Sequence, residues 1–213
     1  MKLVLHGAWR SSAAYRVRIG LNLKGLAYAT APVSLVDNQH QSPAFATLNP
    51  QKLVPALVVD GRVLTQSLAI LEWLDEVRPE PALLPADPMA RAQARAMAQV
   101  IACDIHPVNN LRILRALTGL GVDEPGREAW IQRWITDGFQ ALEARIIEHG
   151  GQYAFGDTPG LVDCCLVPQV YNAERFKTDL SPFPALRAVA ARALEHPAFV
   201  AAHPNQQPDA IHA

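Results

Sequence analysis

Along its first third the chain sets short apolar runs beside one amphipathic stretch, and beyond that its periodicity is helical throughout. "KLVLH" reads as a strand. "SSAAYRVRIGLNLKG" carries apolar residues at Ala14, Val17 and Leu21 and stops at Gly25, which predicts an amphipathic helix. "AYATAPV" reads as a second strand. After a polar loop comes "LVPALVVDGRVLTQS", two apolar runs joined by Asp60-Gly61, the strongest short-range hairpin signal. "SLAILEWLDEV" predicts a helix with Ser67 at its N-cap. The order is β-α-β, loop, β-β-α, ending near Val77.

"RPEPALLPADP" is rich in proline and reads as a linker. "DPMARAQARAMAQVIACDIHPVNNLRILRAL" predicts one long helix or two, with Pro107 as a kink. In "EPGREAWIQRWITDGFQALEARIIEHG" the apolar stripe runs through Trp130, Trp134, Phe139, Leu142 and Ile146. "LVDCCLVPQVYNAERF" is nearly apolar all round, the mark of a buried central helix. "PALRAVAARALEHPAFVAAHP" supplies a closing helical pair, and the polar tail from Pro204 is expected to be loosely held. Two domains are therefore expected: a small α/β unit over 1–80 and an all-helical unit over 87–213.

A length of 213 residues, half of them hydrophobic, suits a soluble protein with a sizeable core. A formal net charge of −1 leaves no electrostatic footprint for nucleic acid or an anionic membrane. The opening apolar run is too short for a signal peptide, and no stretch approaches a membrane span. Cys103, Cys164 and Cys165 are unpatterned; the adjacent pair lies in an apolar segment and reads as buried thiols, which fits the cytoplasm.

Several residues carry candidate chemistry. Ser11 and Ser12 open the first helix. A catalytic serine needs a base within hydrogen-bond reach, and none stands nearby in sequence, so an N-cap is favoured over a Ser-His-Asp triad. A third role fits better: a hydroxyl at a positive helix end donating to a thiolate and lowering that thiol's pKa. Val54-Pro55 is an X-Pro bond that is either trans at a strand start or cis in a tight turn. Gln66-Ser67 opens a helix whose orphan N–H groups suit either a serine cap or a bound anion. His106 and Asn110 stand one helical turn apart and so share a face. No cysteine or acidic partner has ligand spacing, so no metal is expected. In "GDTPGLVD", Gly160 holds a cap position ahead of Asp163.

The strings "RSSAAYRVRIGLNLKG", "NPQKLVPAL", "QSLAILEWL", "LVPQVYNAERF" and "HPNQQPDA" resemble the zeta class of glutathione transferases, the maleylacetoacetate and maleylpyruvate isomerases. The resemblance covers nearly the whole chain. It implies an α/β thioredoxin-like N-terminal domain followed by an all-α C-terminal domain, with glutathione as cofactor and a homodimer as the assembly. It assigns Ser11, with Ser12 as understudy, to the glutathione thiolate. Val54, ahead of a cis Pro55, pairs with the cysteinyl part, and Gln66-Ser67 receives the γ-glutamyl carboxylate. His106 and Asn110 meet glutathione, and His40 and Gln51 are further candidates for it. Arg10, Arg112 and Arg175 are nominated for the carboxylates of a small dicarboxylate keto acid.

The chain departs from the class where Ala13 stands in place of the cysteine of its Ser-Ser-Cys pattern, so a protein thiol plays no part there. The function implied is cis–trans isomerisation of a maleyl keto acid in aromatic catabolism. A thiolate adds to the electron-poor alkene, the single bond so formed rotates, and elimination regenerates the thiol. Two alternatives stay open: glutathione-dependent dehalogenation or conjugation of small α-haloacids, and a non-catalytic binding protein. The sequence does not choose between maleylacetoacetate and maleylpyruvate.

Overall fold

The computed structural model describes residues 1–211 and divides into two compact units. The first begins with β1 (Leu3–Gly7), α1 (Ser12–Leu23) and β2 (Ala29–Pro32). A short α2 (Pro43–Leu48) precedes β3 (Ala56–Val59), β4 (Arg62–Thr65) and α3 (Ser67–Val77). The strands form one mixed sheet in the order β2-β1-β3-β4. β1 runs parallel to β2, with Leu5 opposite Thr30, and antiparallel to β3, with Leu5 opposite Leu57. Asp60 and Gly61 turn the β3–β4 hairpin with φ of 46° and 85°, the positive values that a two-residue turn needs.

Helix α2 replaces the loop expected there. Ser42 caps it by accepting the Phe45 N–H and Pro43 opens it, but six residues are too few to show a helical period. The unit's core joins Leu3, Leu5 and Leu57 of the sheet to Tyr15, Val17, Ile19 and Leu21 of α1 and Ile70, Leu71 and Leu74 of α3. A Cβ at position 20 would stand 2.2 Å from Leu71 Cδ2, so Gly20 is what lets α1 approach α3. At the far end of α1, the buried Lys24 ammonium meets Asp75 Oδ1 at 2.6 Å and the Pro81 carbonyl.

The second unit, Leu84–Leu194, is helical: α4 (Pro88–Gln99), a π-helical turn (Val100–Ile105), α5 (Leu111–Gly119), α6 (Glu124–His149), α7 (Leu161–Arg175) and α8 (Pro184–Ala193). Helix α7 is buried from Leu161 through Val170, Cys164 and Cys165 included, while Cys103 is exposed. The buried stripe of α6 is Ile131, Ile135, Phe139, Leu142 and Ile146, one residue beyond Trp130 and Trp134 in its first half. The tryptophans are half-buried, and the Trp130 indole N–H donates to Val108 O at 3.0 Å, a partner that an isoleucine does not need.

Side chains serve as caps inside this unit. Both carboxylate oxygens of Glu143 on α6 accept from the opening amides of α8, Ala185 and Leu186, at 2.8 Å. Gly160 heads α7, as its position in the sequence suggests, and Asp163 accepts the Gly160 and Ala154 N–H groups, each at 2.9 Å. Burial pushes the Asp163 carboxyl up to about 6, against the pull of those two donors.

Among the described residues the chain from Glu195 groups with the first unit, so the helical unit spans Leu84–Leu194 and not 87–213. The closing pair is split accordingly: α8 lies in the second unit, while α9 (Pro197–Ala202) packs on α1, with Asn22 Nδ2 donating to Ala198 O at 2.9 Å. Nor is the tail loose up to Asp209. The Gln207 side chain is buried and donates to Ala201 O and His203 O, and Asp209 Oδ2 accepts the Trp9 N–H at 3.0 Å.

Candidate functional site

Four residues, Ala8 to Ser11, join β1 to α1. Ser11 is the N-cap of α1: its extended backbone (φ −68°, ψ 119°) turns Oγ to accept the Ala14 N–H at 3.3 Å. A hydroxyl has two lone pairs and one proton, so capping leaves the proton for another acceptor at the positive end of the helix. The first turn holds no acidic residue to oppose an anion there. Ser12 follows as the first helical residue and is buried, and Ala13 is next. Arg10 is exposed, its guanidinium 5.0 Å from the centroid of the Trp9 ring.

At α3 the structure moves the expected cap by one residue. Gln66 is the N-cap, at φ 67° and ψ 114°, and Ser67 is the first helical residue. A non-glycine residue held at positive φ costs on the order of 1–3 kcal/mol, strain that collects at functional sites. The Gln66 side chain does not cap the helix; its amide donates to Gln51 Oε1 at 2.9 Å, which brings these two candidates together. Ser67 is buried, and its Oγ accepts from Nη1 of the buried Arg16 at 3.3 Å. The Val54–Pro55 bond is cis and stands just ahead of the first rung of β3, where Ala56 faces His6 and Thr65. His40 is buried in a 3₁₀ turn (Gln39–Gln41).

The remaining candidates lie in the helical unit. His106 and Asn110 do not share a helix face. His106 closes the π-helical turn, its N–H donating to Ile101 O at 2.9 Å, whereas Asn110 is the N-cap of α5. Pro107 brings no N–H to continue the first helix, and Asn110 starts the next by accepting the Arg112 N–H at 3.1 Å. Arg112 is exposed in the first turn of α5. Arg175 is exposed at the last residue of α7, its guanidinium 5.3 Å from the Phe176 ring centroid.

Sequence reasoning passed over Arg16, Arg18 and Asp209. Arg16 and Arg18 are buried on α1, and Arg18 donates to Trp9 O at 2.8 Å and Ala202 O at 2.9 Å. Their signal was present in "YRVRIGL": arginines inside an otherwise apolar helix demand buried partners. Within the first unit, then, α1 offers a hydroxyl proton at its positive end. The first turn of α3 offers amides that its N-cap side chain leaves open, with a buried cation behind Ser67. That donor set suits a ligand carrying a carboxylate and a thiolate.

Comparison with known proteins agrees with this chemistry. The family model "Glutathione S-transferase, N-terminal domain" matches residues 10–77. A probable maleylacetoacetate isomerase of Vibrio cholerae is 50% identical over 99% of each chain. The holo structure of a maleylpyruvate isomerase, a bacterial zeta-class glutathione transferase, is 50% identical, covers 98% of this chain and 100% of its own, and superposes with a TM-score of 0.96. A maleylacetoacetate isomerase from Anaeromyxobacter dehalogenans with glutathione in its active site is 45% identical, covers 99% and 98%, and has a TM-score of 0.90.

Proposed function

Since the chain belongs to the zeta-class glutathione transferases, the family of the maleylacetoacetate and maleylpyruvate isomerases, we propose that it is a glutathione-dependent cis–trans isomerase of a maleyl keto acid. The observation that carries the reading is Ser11, a capping hydroxyl with its proton unspent at the end of α1, followed by Ala13 where a protein thiol is absent. Bound glutathione supplies the thiol that adds reversibly to the electron-poor C=C, so that rotation becomes possible. Ser11 donates to that sulfur and, with the helix end, favours its anionic form. Ser12 stands beside it in the same turn.

Ser67 and the open amides of α3 receive the γ-glutamyl carboxylate, and Gln66, tied to Gln51, shapes that end. Val54 offers its backbone to the cysteinyl part, and His40, His106 and Asn110 complete the glutathione contacts in this reading. Arg10, Arg112 and Arg175 take the substrate's carboxylates through bidentate pairs.

A homodimer in the cytoplasm completes the proposal, and light scattering on the purified chain tests the assembly. No helix among the described residues is long and apolar enough to cross a membrane. The deciding experiment offers maleylacetoacetate and maleylpyruvate separately with a catalytic amount of glutathione. Turnover of either with the glutathione recovered intact supports isomerisation. Rearrangement only with stoichiometric loss of glutathione, or consumption of α-haloacids alone, refutes it.

A further inference from the structure

We propose that the C-terminal segment is a strap that sets the Ala8–Ser11 loop, and that Asp209 is its clasp, a positioning residue acting on Arg10 and Ser11 through Trp9. Both polar groups of the Trp9 backbone are engaged from outside the loop. Its carbonyl accepts from Arg18 Nη2 at 2.8 Å, and its N–H donates to Asp209 Oδ2 at 3.0 Å across 200 positions of sequence. The second bond has an ionised acceptor, which makes it stronger than a neutral pair.

The strap is itself fastened. Arg18 Nε holds Ala202 O at 2.9 Å, so one guanidinium ties the end of α9 and the Trp9 carbonyl together. Gln207 anchors the next turn to Ala201 O and His203 O, and the Ala210 N–H donates to Gln207 O at 3.0 Å. Asp209 therefore reaches Trp9 from a braced turn.

What Trp9 carries makes the clasp consequential. Its ring supports the Arg10 guanidinium, and two residues on, Ser11 needs its extended backbone and its N–H bond to Ala8 O (3.1 Å) to bring Oγ to the Ala14 N–H. Release of the Trp9 N–H lets the ring and the cap shift together. The bound thiol then loses part of its donor, and the substrate loses a fixed Arg10. The inference rests on the isomerase reading for its consequences on the bound thiol and on kinetics, and not for the hydrogen exchange at Trp9.

Asp209→Ala and Asp209→Asn test it, the latter because its amide oxygen still accepts from Trp9. The Ala variant should show fast hydrogen exchange at the Trp9 amide. Its bound glutathione should titrate at higher pH by thiolate absorbance, and kcat/KM should fall about 10- to 100-fold. The Asn variant should return all three toward the parent. Unchanged exchange at Trp9 in the Ala variant overturns the clasp. So does an unchanged thiol titration with unchanged kcat/KM, or a loss in the Asn variant equal to that in the Ala variant. If the parent protein binds no glutathione, the isomerase reading fails, and the exchange experiment still decides the clasp.

Discussion

Arg16 and Ser67 meet inside the first unit, where a buried guanidinium donates to a buried serine hydroxyl, Nη1 to Oγ, over 3.3 Å. A hydroxyl that accepts from a cation turns its own proton away from it. At the first residue of α3, that leaves the proton for an anion seated on the helix end. Removing Oγ in Ser67→Ala should weaken glutathione binding about 10- to 100-fold, the ~1.5–3 kcal/mol of a hydrogen bond to a charged group. Titration calorimetry measures this directly, and an unaltered affinity would take Ser67 out of the carboxylate site.

Capping and proton donation by Ser11 can be separated. Ser11→Ala should cost about 1 kcal/mol of stability through the lost cap and raise the pH at which bound glutathione forms its thiolate. Ser11→Asp accepts the Ala14 N–H equally well and should recover the stability. It offers no proton and adds a negative charge, so the thiol's titration should move further up. Recovery of both properties in the Asp variant would assign Ser11 to capping alone.

Arg175→Ala tests the substrate side. The exposed guanidinium is proposed to take a substrate carboxylate, so KM for the keto acid should rise at least about tenfold, as for one lost charged hydrogen bond. Affinity for glutathione should hold. Equal loss of both ligands refutes the assignment.

Burial of Asp163 predicts a pH-dependent stability whose sign follows from its raised carboxyl. Its carboxyl holds a proton up to about 6 in the folded protein, against an ordinary 3.8, so between those values the folded state binds more protons than the unfolded. The stability contributed by this group is fully present below 3.8 and is lost as pH rises through 6, a span worth about 3 kcal/mol. Asp163→Ala should remove that slope. It should also destabilise at every pH by about 1–3 kcal/mol for the buried Ala154 N–H left unsatisfied, with a smaller loss at the part-buried Gly160 N–H. Urea denaturation across pH 4 to 7 measures both effects, and a variant profile parallel to the parent's rejects the titration.

The sheet, the hairpin and the start of α1 were legible because each has a local cause: the short apolar run in "KLVLH", Asp60-Gly61 for a two-residue turn, Ser11 as a cap. The family strings led to the fold and to glutathione. What stayed hidden depends on contacts distant in sequence. Nothing near Ser67 announces Arg16, and nothing in the polar tail tells that Asp209 meets Trp9. The His106–Asn110 pairing failed because helical spacing was carried across Pro107 and a capping asparagine. Ser67 was misplaced by one residue because a glutamine at positive φ, in this case Gln66, is a cap that preference does not foresee.

The division of the chain also has a consequence for biosynthesis. The first unit needs α9 against α1, the Ala202 carbonyl for Arg18 and the Asp209 carboxylate for Trp9, and all of these leave the ribosome after the whole of Leu84–Leu194. The unit that is translated first is thus completed last. During elongation a nascent α1 carries a buried-type arginine with no carbonyl of α9 to receive it, and the loop bearing Ser11 takes its final shape only once the far end of the chain has been made.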